Sequence, residues 1–492
     1  MTKLLRNFLR QSSHYSAGQF LVLLSSLISF PILTRVFSLT DYGVMNLLSN
    51  TVLIMVALSK GGLQHSIVRS YHEFARPEGP EQPKDFASTL LIGGLLLALV
   101  VTLFGALLST SALQEWVEHP ALAILVILSS GLIFFRAAES LLLAFLRAEE
   151  KTFALNGYRV IVRYLNLGMI LVFLFFVSGT LKGFYFAQLL AMAIAVSVLF
   201  IQRMKLSPIR VSGYNGNLFR QALVYGSPLI GFELASMLLN YTDRYLLQYY
   251  QGAEAVGLYS AAYNLIDYVK DLVVVPLATA VMPIYMRIWS QKGPEATARF
   301  LRSALKSYAL LAIPFAFGCA ATGRSLLHIV ASEKFIDGHV IIPWVIAGLI
   351  INGAVAIVGA GLYLQKRTNL LAGLLVFVTV LNVGANYLCI PKYGIEGAAM
   401  TKLLSYCVLA IFVTGITSRV LKLNLPWLVL LKYLAAGILM YFTIMLVQLS
   451  SPLMELVVRC VIGATVYGLT ASLIEKGVRE NIRQLVQQFS GN

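Results

Sequence analysis

The sequence predicts an all-α polytopic membrane protein of about 14 transmembrane helices, in two six-helix lobes related as parallel repeats, plus two C-terminal helices. Three observations predict it. Hydrophobic residues make up 58% of the 492 residues and charged residues only 12%, where soluble domains carry roughly a quarter charged, and the mean hydropathy is +0.78. The apolar residues come in runs long enough to cross hydrocarbon, about 20 at a time, without the alternation of a membrane barrel. Short motifs of the first half return in the second at a nearly constant offset.

The first span is expected over 13–34. Lys3, Arg6 and Arg10 precede an apolar stretch from Gln19 to Leu33, which has the look of a signal peptide. No small-x-small cleavage site follows and a second apolar segment begins at once, so the helix is expected to be retained. Spans 2 to 6 are expected at 43–68, 87–108, 120–145, 154–177 and 183–201, completing an N-terminal lobe over 1–201. After a cytoplasmic linker at 202–217, spans 7 to 12 follow at 218–247, 255–284, 300–322, 339–363, 369–389 and 395–418, forming a C-terminal lobe over 218–420. Spans 13 and 14, at 427–449 and 452–474, lie within 425–476, and 477–492 is a cytoplasmic tail. Pro31, Pro228, Pro276 and Pro314 fall inside spans, where prolines are tolerated and introduce kinks.

Lys and Arg set the orientation. Lys3, Arg6, Arg10, Arg76, Lys84, Arg147, Lys151, Arg203, Lys205, Arg210, Arg287, Lys292, Arg299, Arg302, Lys306, Lys366, Arg367, Arg419, Lys422, Lys476, Arg479 and Arg483 fall on one set of loops; the alternate set holds little beyond Arg35, Lys182, Arg324, Lys334, Lys392 and Arg459. Both termini are therefore expected in the cytoplasm. The net charge of +16 is mostly this topological signal, and no nucleic-acid partner is inferred from it. Cys319, Cys389, Cys407 and Cys460 all lie in or beside apolar segments, with neither metal-binding spacing nor a disulfide framework.

The repeat is read from matched motifs. Leu9-Arg10-Gln11 matches Phe219-Arg220-Gln221, and Tyr15 matches Tyr225. Asp41-Tyr42-Gly43 matches Ala255-Val256-Gly257, with Asn50 matching Asn264. Lys151-Thr152 matches Arg367-Thr368, Asn166 matches Asn382, and Leu181-Lys182-Gly183 matches Ile395-Glu396-Gly397. By subtraction the offsets are 210, 214, 216, 216 and 214. Six helices per copy is an even number, so the copies point the same way across the membrane. Parallel repeats about the membrane normal are a transporter plan in which the substrate site lies between the lobes. An ATP-driven pump is not indicated, because no phosphate-cradling loop is present, and the longest polar breaks, near 70–86 and 202–217, are too short to fold as soluble domains.

Further motifs carry a family resemblance: Ser16-Ala17-Gly18-Gln19-Phe20, Thr34-Arg35, Gly61-Gly62-Leu63, Thr242-Asp243-Arg244-Tyr245, Ala255-Val256-Gly257-Leu258-Tyr259 and Tyr393-Gly394-Ile395-Glu396-Gly397-Ala398-Ala399. With Asp41-Tyr42-Gly43 they resemble the polysaccharide-transporter, or oligosaccharide (O-antigen-type) flippase, family of the multidrug/oligosaccharidyl-lipid/polysaccharide exporter superfamily, over essentially the whole chain. The resemblance implies a flippase moving undecaprenyl-pyrophosphate-linked oligosaccharide repeat units from the inner to the outer leaflet of a bacterial inner membrane by alternating access, for O-antigen, capsule or exopolysaccharide synthesis. Membrane lipid and polysaccharide polymerase machinery are the implied further partners. No cofactor is implied beyond a coupling proton or sodium ion. The alternatives are a cation-coupled multidrug or small-molecule exporter of the same superfamily, which needs an acidic cavity, and a membrane glycosyl polymerase, which needs a large external catalytic loop.

Ionisable residues inside spans are expensive unless they face water, a partner or the bundle interior, and they give the candidate site. Lys60, Arg136, Arg159, Arg163, Arg244 and Lys270 are the expected substrate-binding cations. Glu139, Glu233, Asp267 and Asp271 are candidates for ion coupling, and Arg35, His65 and Arg69 are weaker candidates. At the 214 offset Lys60 corresponds to Val274 and Asp267 to Leu53; charge present in one copy only is not required by the fold. Arg159, Arg163 and Asn166 share one stripe of span 5, and the short loop between spans 4 and 5 places Glu139 and Arg159 at similar depth. A local ion-pair network is one reading of Arg136, Glu139, Arg159 and Arg163; an inner-leaflet vestibule attracting phosphate is the other. Asp267, Lys270 and Asp271 read either as a self-neutralising helix face or as a cavity wall. Lys60 is placed awkwardly for snorkelling. Arg35 and Arg69, at span ends, read as headgroup anchors, and His65 as an interior histidine or a proton carrier.

Overall fold

A computed structural model describes residues 2–74, 83–206, 209–475 and 479. Arg76, Lys476, Arg483 and nearly all of the expected tail lie outside the described residues, as does part of each long polar break. All regular structure among the described residues is helical. The long helices are α1 (Thr2–Val36), α2 (Leu39–Ser59), α3 (Leu63–Phe74), α4 (Pro83–Trp116), α5 (Leu122–Ala148), α6 (Thr152–Val172), α7 (Leu181–Leu206) and α8 (Gly216–Val330). They continue with α9 (Ile342–Val358), the short α10 (Ala360–Leu364), α11 (Thr368–Leu421), α12 (Trp427–Met445) and α13 (Pro452–Ile474).

Twelve helical segments among the described residues are long and apolar enough to cross a membrane. Three of them, Gly216–Asp271, Val281–Val330 and Asn369–Arg419, run to 50 residues or more. At 1.5 Å per residue, 50 residues would reach about 75 Å if straight, more than twice the hydrocarbon thickness. The hydrogen-bonded ladder therefore has to bend. Within α8 the backbone turns to positive φ at Gly252 and Gly293, and within α11 it leaves the helical region at Gly394, with φ 56° and ψ −132°. The expected gaps between 247 and 255 and between 389 and 395 coincide with two of these glycines.

Span 2 departs from expectation. It was expected unbroken over 43–68, but α2 ends at Ser59 and α3 begins at Leu63, with Gly61 at φ +58° and Gly62 at φ +74° between them. Residues with a side chain adopt that region at a cost, which glycine avoids. Apolar periodicity alone carries straight across such a break. At its other end α2 starts with a capping box. Asp41 N donates to Ser38 Oγ at 3.0 Å, and the Asp41 carboxylate accepts from the Ser38 backbone and hydroxyl, satisfying amides the helix leaves open.

Two compact units make up the chain, residues 1–257 and 258–492. In the first, α3, α4, α5 and α7 enclose a core built on Leu63, Leu90, Leu141, Phe145 and Leu199. The N-terminal part of α8 packs against α2 and α3 at points where side chains are absent. Gly62 meets the backbone of Gly226, and Gly43 meets that of Ala253 and Gly257; a Cβ on any of the four glycines would collide with main chain. In the second unit, Ala321, Ala436, Met440, Ile444 and Tyr467 form a core joining α8 to α12 and α13. Arg459 of α13 is 8% exposed there. It donates to the carbonyls of Ala321 (3.1 Å) and Val447 (2.8 and 3.1 Å) and pairs with Glu455 at 2.6 Å.

Each unit also contains one of two matching turns. Glu150 and Lys366, 216 residues apart by subtraction, both have φ 57°. Lys151 N donates to Leu146 O (3.0 Å) in the first turn, and Arg367 N to Leu362 O (2.9 Å) in the second. Both turns lead into a helix at the matched Lys-Thr and Arg-Thr pairs.

Candidate functional site

The break in α2 carries the most buried ion pair formed by the predicted residues across two helices. Lys60 caps the C-terminal end of α2, and its Nζ lies 2.8 Å from Glu233 Oε1 of α8, with side-chain exposures of 10% and 24%. Gln64, one turn on in α3, donates to Glu233 Oε2 at 3.2 Å, and Ser66 donates to the carbonyl of Ala222 at 2.6 Å. The glycine contact at Gly62 and Gly226 brings the helices close enough for these bonds. The sequence placed Lys60 and Glu233 in the candidate set but did not pair them, because their meeting depends on the helix break.

A second group lies among α1, α5, α6 and α7. Arg136 Nη2 donates to Gln188 Oε1 at 3.1 Å and is within electrostatic reach of Glu139 and Arg163. Glu139 is in turn within reach of Arg159, the juxtaposition expected from equal depth in the α5–α6 hairpin. Arg163 Nε and Nη2 donate to the hydroxyls of Ser25 (2.9 Å) and Ser26 (2.7 Å) on α1. Arg136 and Arg159 thus share one carboxylate, and Arg163 is oriented by neutral groups and forms no ion pair among the described residues. Asn166, one turn beyond, has a buried Oδ1 with no hydrogen-bond partner.

Arg244, Lys270 and Arg35 bond to neighbours in their own helices. Arg244 is 2% exposed; its Nη1 donates to Asn240 O at 3.0 Å and lies 3.4 Å from the buried carboxylate of Asp243. Lys270, in the second unit, bridges Asp267 at 2.6 Å and Asp271 at 2.9 Å, the geometry of a self-neutralising face. Arg35 is exposed, with Nη1 donating to Pro31 O at 3.0 Å. His65 is exposed on α3. Arg69, also exposed, stacks on the Tyr225 ring with 4.2 Å between guanidinium carbon and centroid.

Sequence reasoning missed the polar groups that orient these charges. Ser25, Ser26, Gln64 and Gln188 are uncharged and drew no attention inside apolar runs; the i+4 spacing of Gln64 from Lys60 was the available signal for one of them. It also missed a buried polar chain in the second unit. Asn382 donates to Ser405 Oγ (2.9 Å), Asn386 to Asn382 Oδ1 (3.0 Å), and Thr401 to Asn386 Oδ1 (2.5 Å). Lys402, 1% exposed, sits in the same stretch of α11. Asn166, the match of Asn382, has Ala191 where Asn382 has Ser405 at the 214 offset, so the two asparagines have different surroundings.

Outside the spans, Glu149 ties together the end of α5, the start of α6 and the end of α7. It pairs with Lys151 at 2.7 Å and with Arg203, and accepts from Tyr71 at 3.2 Å. Burial pushes its carboxyl upward, but the bonds to Lys151 and Arg203 outweigh that and hold it below the ordinary glutamate value. Arg203 also stacks on Phe145 at 4.6 Å.

Residues 8–289 match the profile of a family described as polysaccharide biosynthesis protein. The chain belongs to that family. Among curated relatives it is 27% identical over 233 residues to a probable low-salt glycan biosynthesis flippase, Agl15, of Haloferax volcanii, covering 46% of this chain and 48% of that one. It is 24% identical over 230 residues to an uncharacterized membrane protein of Methanocaldococcus jannaschii, covering 44% of each. The chain thus spans about half the length of the curated relatives it matches. Among solved structures it resembles the lipid II flippase MurJ in an inward closed conformation, with TM-score 0.78, 15% identity, and coverage of 94% of this chain and 99% of that one. It also resembles an inward-facing multidrug resistance MATE family transporter of the MOP superfamily, with TM-score 0.63, 16% identity, and coverage of 82% and 94%. These likenesses give an all-α, multi-pass membrane fold shared with transporters.

Proposed function

We propose that this protein flips undecaprenyl-pyrophosphate-linked oligosaccharide units from the inner to the outer leaflet of a bacterial inner membrane by alternating access, supplying O-antigen, capsule or exopolysaccharide synthesis. The observation that carries the proposal is the arginine excess in the first unit, where Arg136 and Arg159 face one carboxylate, Glu139, and Arg163 lies within electrostatic reach of Arg136. A pyrophosphate carries at least two negative charges, and moving it through hydrocarbon unaided costs many kcal/mol. Fixed guanidinium groups replace its lost hydration, and the isoprenyl tail stays in lipid. The same excess disfavours export of cationic drugs.

The architecture assigned to this cycle has fourteen spans, obtained by dividing two of the twelve apolar segments at Gly252 and Gly394. Both termini are assigned to the cytoplasm. Parallel repeats are supported by the paired turns at Glu150 and Lys366 and by the reciprocal contact at Gly43. The Cβ position of Gly43 faces the carbonyl of Ala253, and that of Gly257 faces the carbonyl of Leu39. Each residue and its counterpart differ by 214, as a two-fold relation requires. Coupling to a proton or sodium ion is assigned to Glu233 and Asp267, whose bonds to Lys60 and Lys270 would change with occupancy.

Complementation of a flippase-null strain tests the function. Lys60→Ala, Arg163→Ala and Lys270→Ala should each reduce surface polysaccharide at equal membrane levels, and Arg163→Lys should retain more than Arg163→Ala. Wild-type output from all three alanine variants would refute the cationic pathway.

A further inference from the structure

We infer that the first turns of α8 form a loading groove for the cargo headgroup, separate from the arginine group deeper in the unit; the inference rests on the flippase reading and orientation above. A groove of about 820 Å³ runs along the exposed face of α8, lined by Asn217, Arg220, Val224, Tyr225, Pro228 and Leu229. A second hollow of about 530 Å³ adjoins it through Asn217 and is lined by Asp85, Ser212 and Tyr214. Neither contains a residue from the candidate set.

The chemistry of the wall changes along the membrane normal. Outermost is the polar hollow, with carboxylate, hydroxyl, phenol and amide groups suited to sugar hydroxyls. One turn further, Arg220 supplies a cation, and Arg69, stacked at 4.2 Å on Tyr225, supplies a second beside the groove. Beyond them Val224, Pro228 and Leu229 make the wall apolar. From Asn217 to Leu229 the helix rises about 18 Å. Sugar, diphosphate and isoprenyl chain follow one another in the same order in a lipid-linked saccharide lying in the inner leaflet. A glycerophospholipid matches the two inner zones, but a headgroup as small as glycerol fills little of the outer hollow, whose volume lies in the range of small-molecule sites.

The outer hollow is built rather than incidental. Ser88 Oγ accepts from Arg210 N at 3.0 Å; Thr89 Oγ1 donates to Gly213 O at 3.1 Å and accepts from Asn215 N at 3.0 Å. These bonds fix the segment before α8 against the start of α4. Asn215 Oδ1 then accepts from the amides of Asn217 and Leu218, capping α8 and setting the direction of its exposed face. The stack on Tyr225 holds the Arg69 guanidinium, which pairs with no carboxylate among the described residues, and such an arginine suits diphosphate oxygens.

Native mass spectrometry of the full-length protein tests this, with undecaprenyl-diphosphate N-acetylglucosamine, undecaprenyl diphosphate and phosphatidylglycerol as probes. Arg69→Gln with Arg220→Gln should weaken both diphosphate lipids about tenfold or more and phosphatidylglycerol, with a single phosphate charge, clearly less. Asn217→Ala with Ser212→Ala should weaken only the sugar-bearing lipid. Arg69→Lys with Arg220→Lys, which keeps the charge, should recover part of the loss, and equal elution and melting profiles exclude misfolding. Unchanged binding of the sugar-bearing lipid in the first pair overturns the groove, as does equal weakening of phosphatidylglycerol. If that happens while Arg163→Ala still abolishes export, the groove fails and the flippase reading stands. If the wild-type protein binds neither diphosphate lipid and does not complement, both fail.

Discussion

Gly43 and Gly257 approach so closely that neither could carry a side chain: a methyl group on Gly43 would strike the Ala253 carbonyl, and one on Gly257 the Leu39 carbonyl. Ordinary overpacking costs about 1–3 kcal/mol because neighbouring side chains give way. Here the obstacle is main chain inside helices. Gly43→Ala and Gly257→Ala should therefore each lower thermal stability in detergent by more than that range. Gly157→Ala is the control: its Cβ would meet nothing within 4 Å, and the gain in helix propensity should stabilise by about 1 kcal/mol. A Gly43→Ala protein as stable as wild type would show that the contact opens readily.

The Lys60–Glu233 pair should behave as a unit. Removing one partner of a buried pair leaves an uncompensated charge and costs about 3–5 kcal/mol, whereas replacing both with apolar residues is often neutral. Lys60→Met and Glu233→Leu should each reduce membrane yield and melting temperature, and the double variant should recover much of the loss. The double variant should still fail to export polysaccharide. Additive losses in a double-mutant cycle would mean that the two groups do not interact.

Arg163 owes its orientation to two hydroxyls. Ser25→Ala with Ser26→Ala should keep the charge but release it, lowering export less than Arg163→Ala does, at equal membrane protein. An export level equal to wild type in the serine double variant would show that position does not matter at Arg163 and charge alone does.

Much of the fold was legible because the bilayer imposes long apolar runs, and glycines marked the turns at Gly252 and Gly394 within a residue or two of the expected gaps. The break at Gly61-Gly62 was not legible, since apolar residues such as Leu63 and Ile67 continue beyond the two glycines, and with it went the pairing of Lys60 to Glu233. The juxtaposition of Glu139 and Arg159 could be read because one short hairpin fixes both depths. Arg244 and Lys270 were assigned by charge alone, and their partners Asp243, Asp267 and Asp271 sit one to three residues away, where sequence counts them equally well as structural pairs. Hydroxyl and amide partners such as Ser25 and Gln188 carry no distinguishing signal in a run of apolar residues.

Glu149 gives a pH dependence of stability. Its carboxyl is held below the ordinary glutamate value by Lys151 and Arg203 against the opposing effect of burial. A depressed carboxyl contributes stability that is complete above the unfolded value and is lost as pH falls through the folded one. Glu149→Gln should thus lower the melting temperature by a few degrees at pH 7, and the gap from wild type should close as the pH is taken below 4.5. A gap that stays constant down to pH 3 would assign the loss to packing instead.

Arg459 has a consequence for how the chain is made. The last helix carries a guanidinium that a lipid-facing segment would not tolerate well, and its acceptors are the carbonyls of Val447, in the turn before it, and Ala321, 138 residues upstream. During synthesis the last helix leaves the ribosome only after α8 and α12 have been delivered, so its docking site is waiting when it arrives. Biogenesis of the second unit is in this respect ordered from N- to C-terminus. Docking of α13 thus reports on a helix made long before it: Glu455 accompanies Arg459 from the start, but the bond to the Ala321 carbonyl forms only against an α8 already seated.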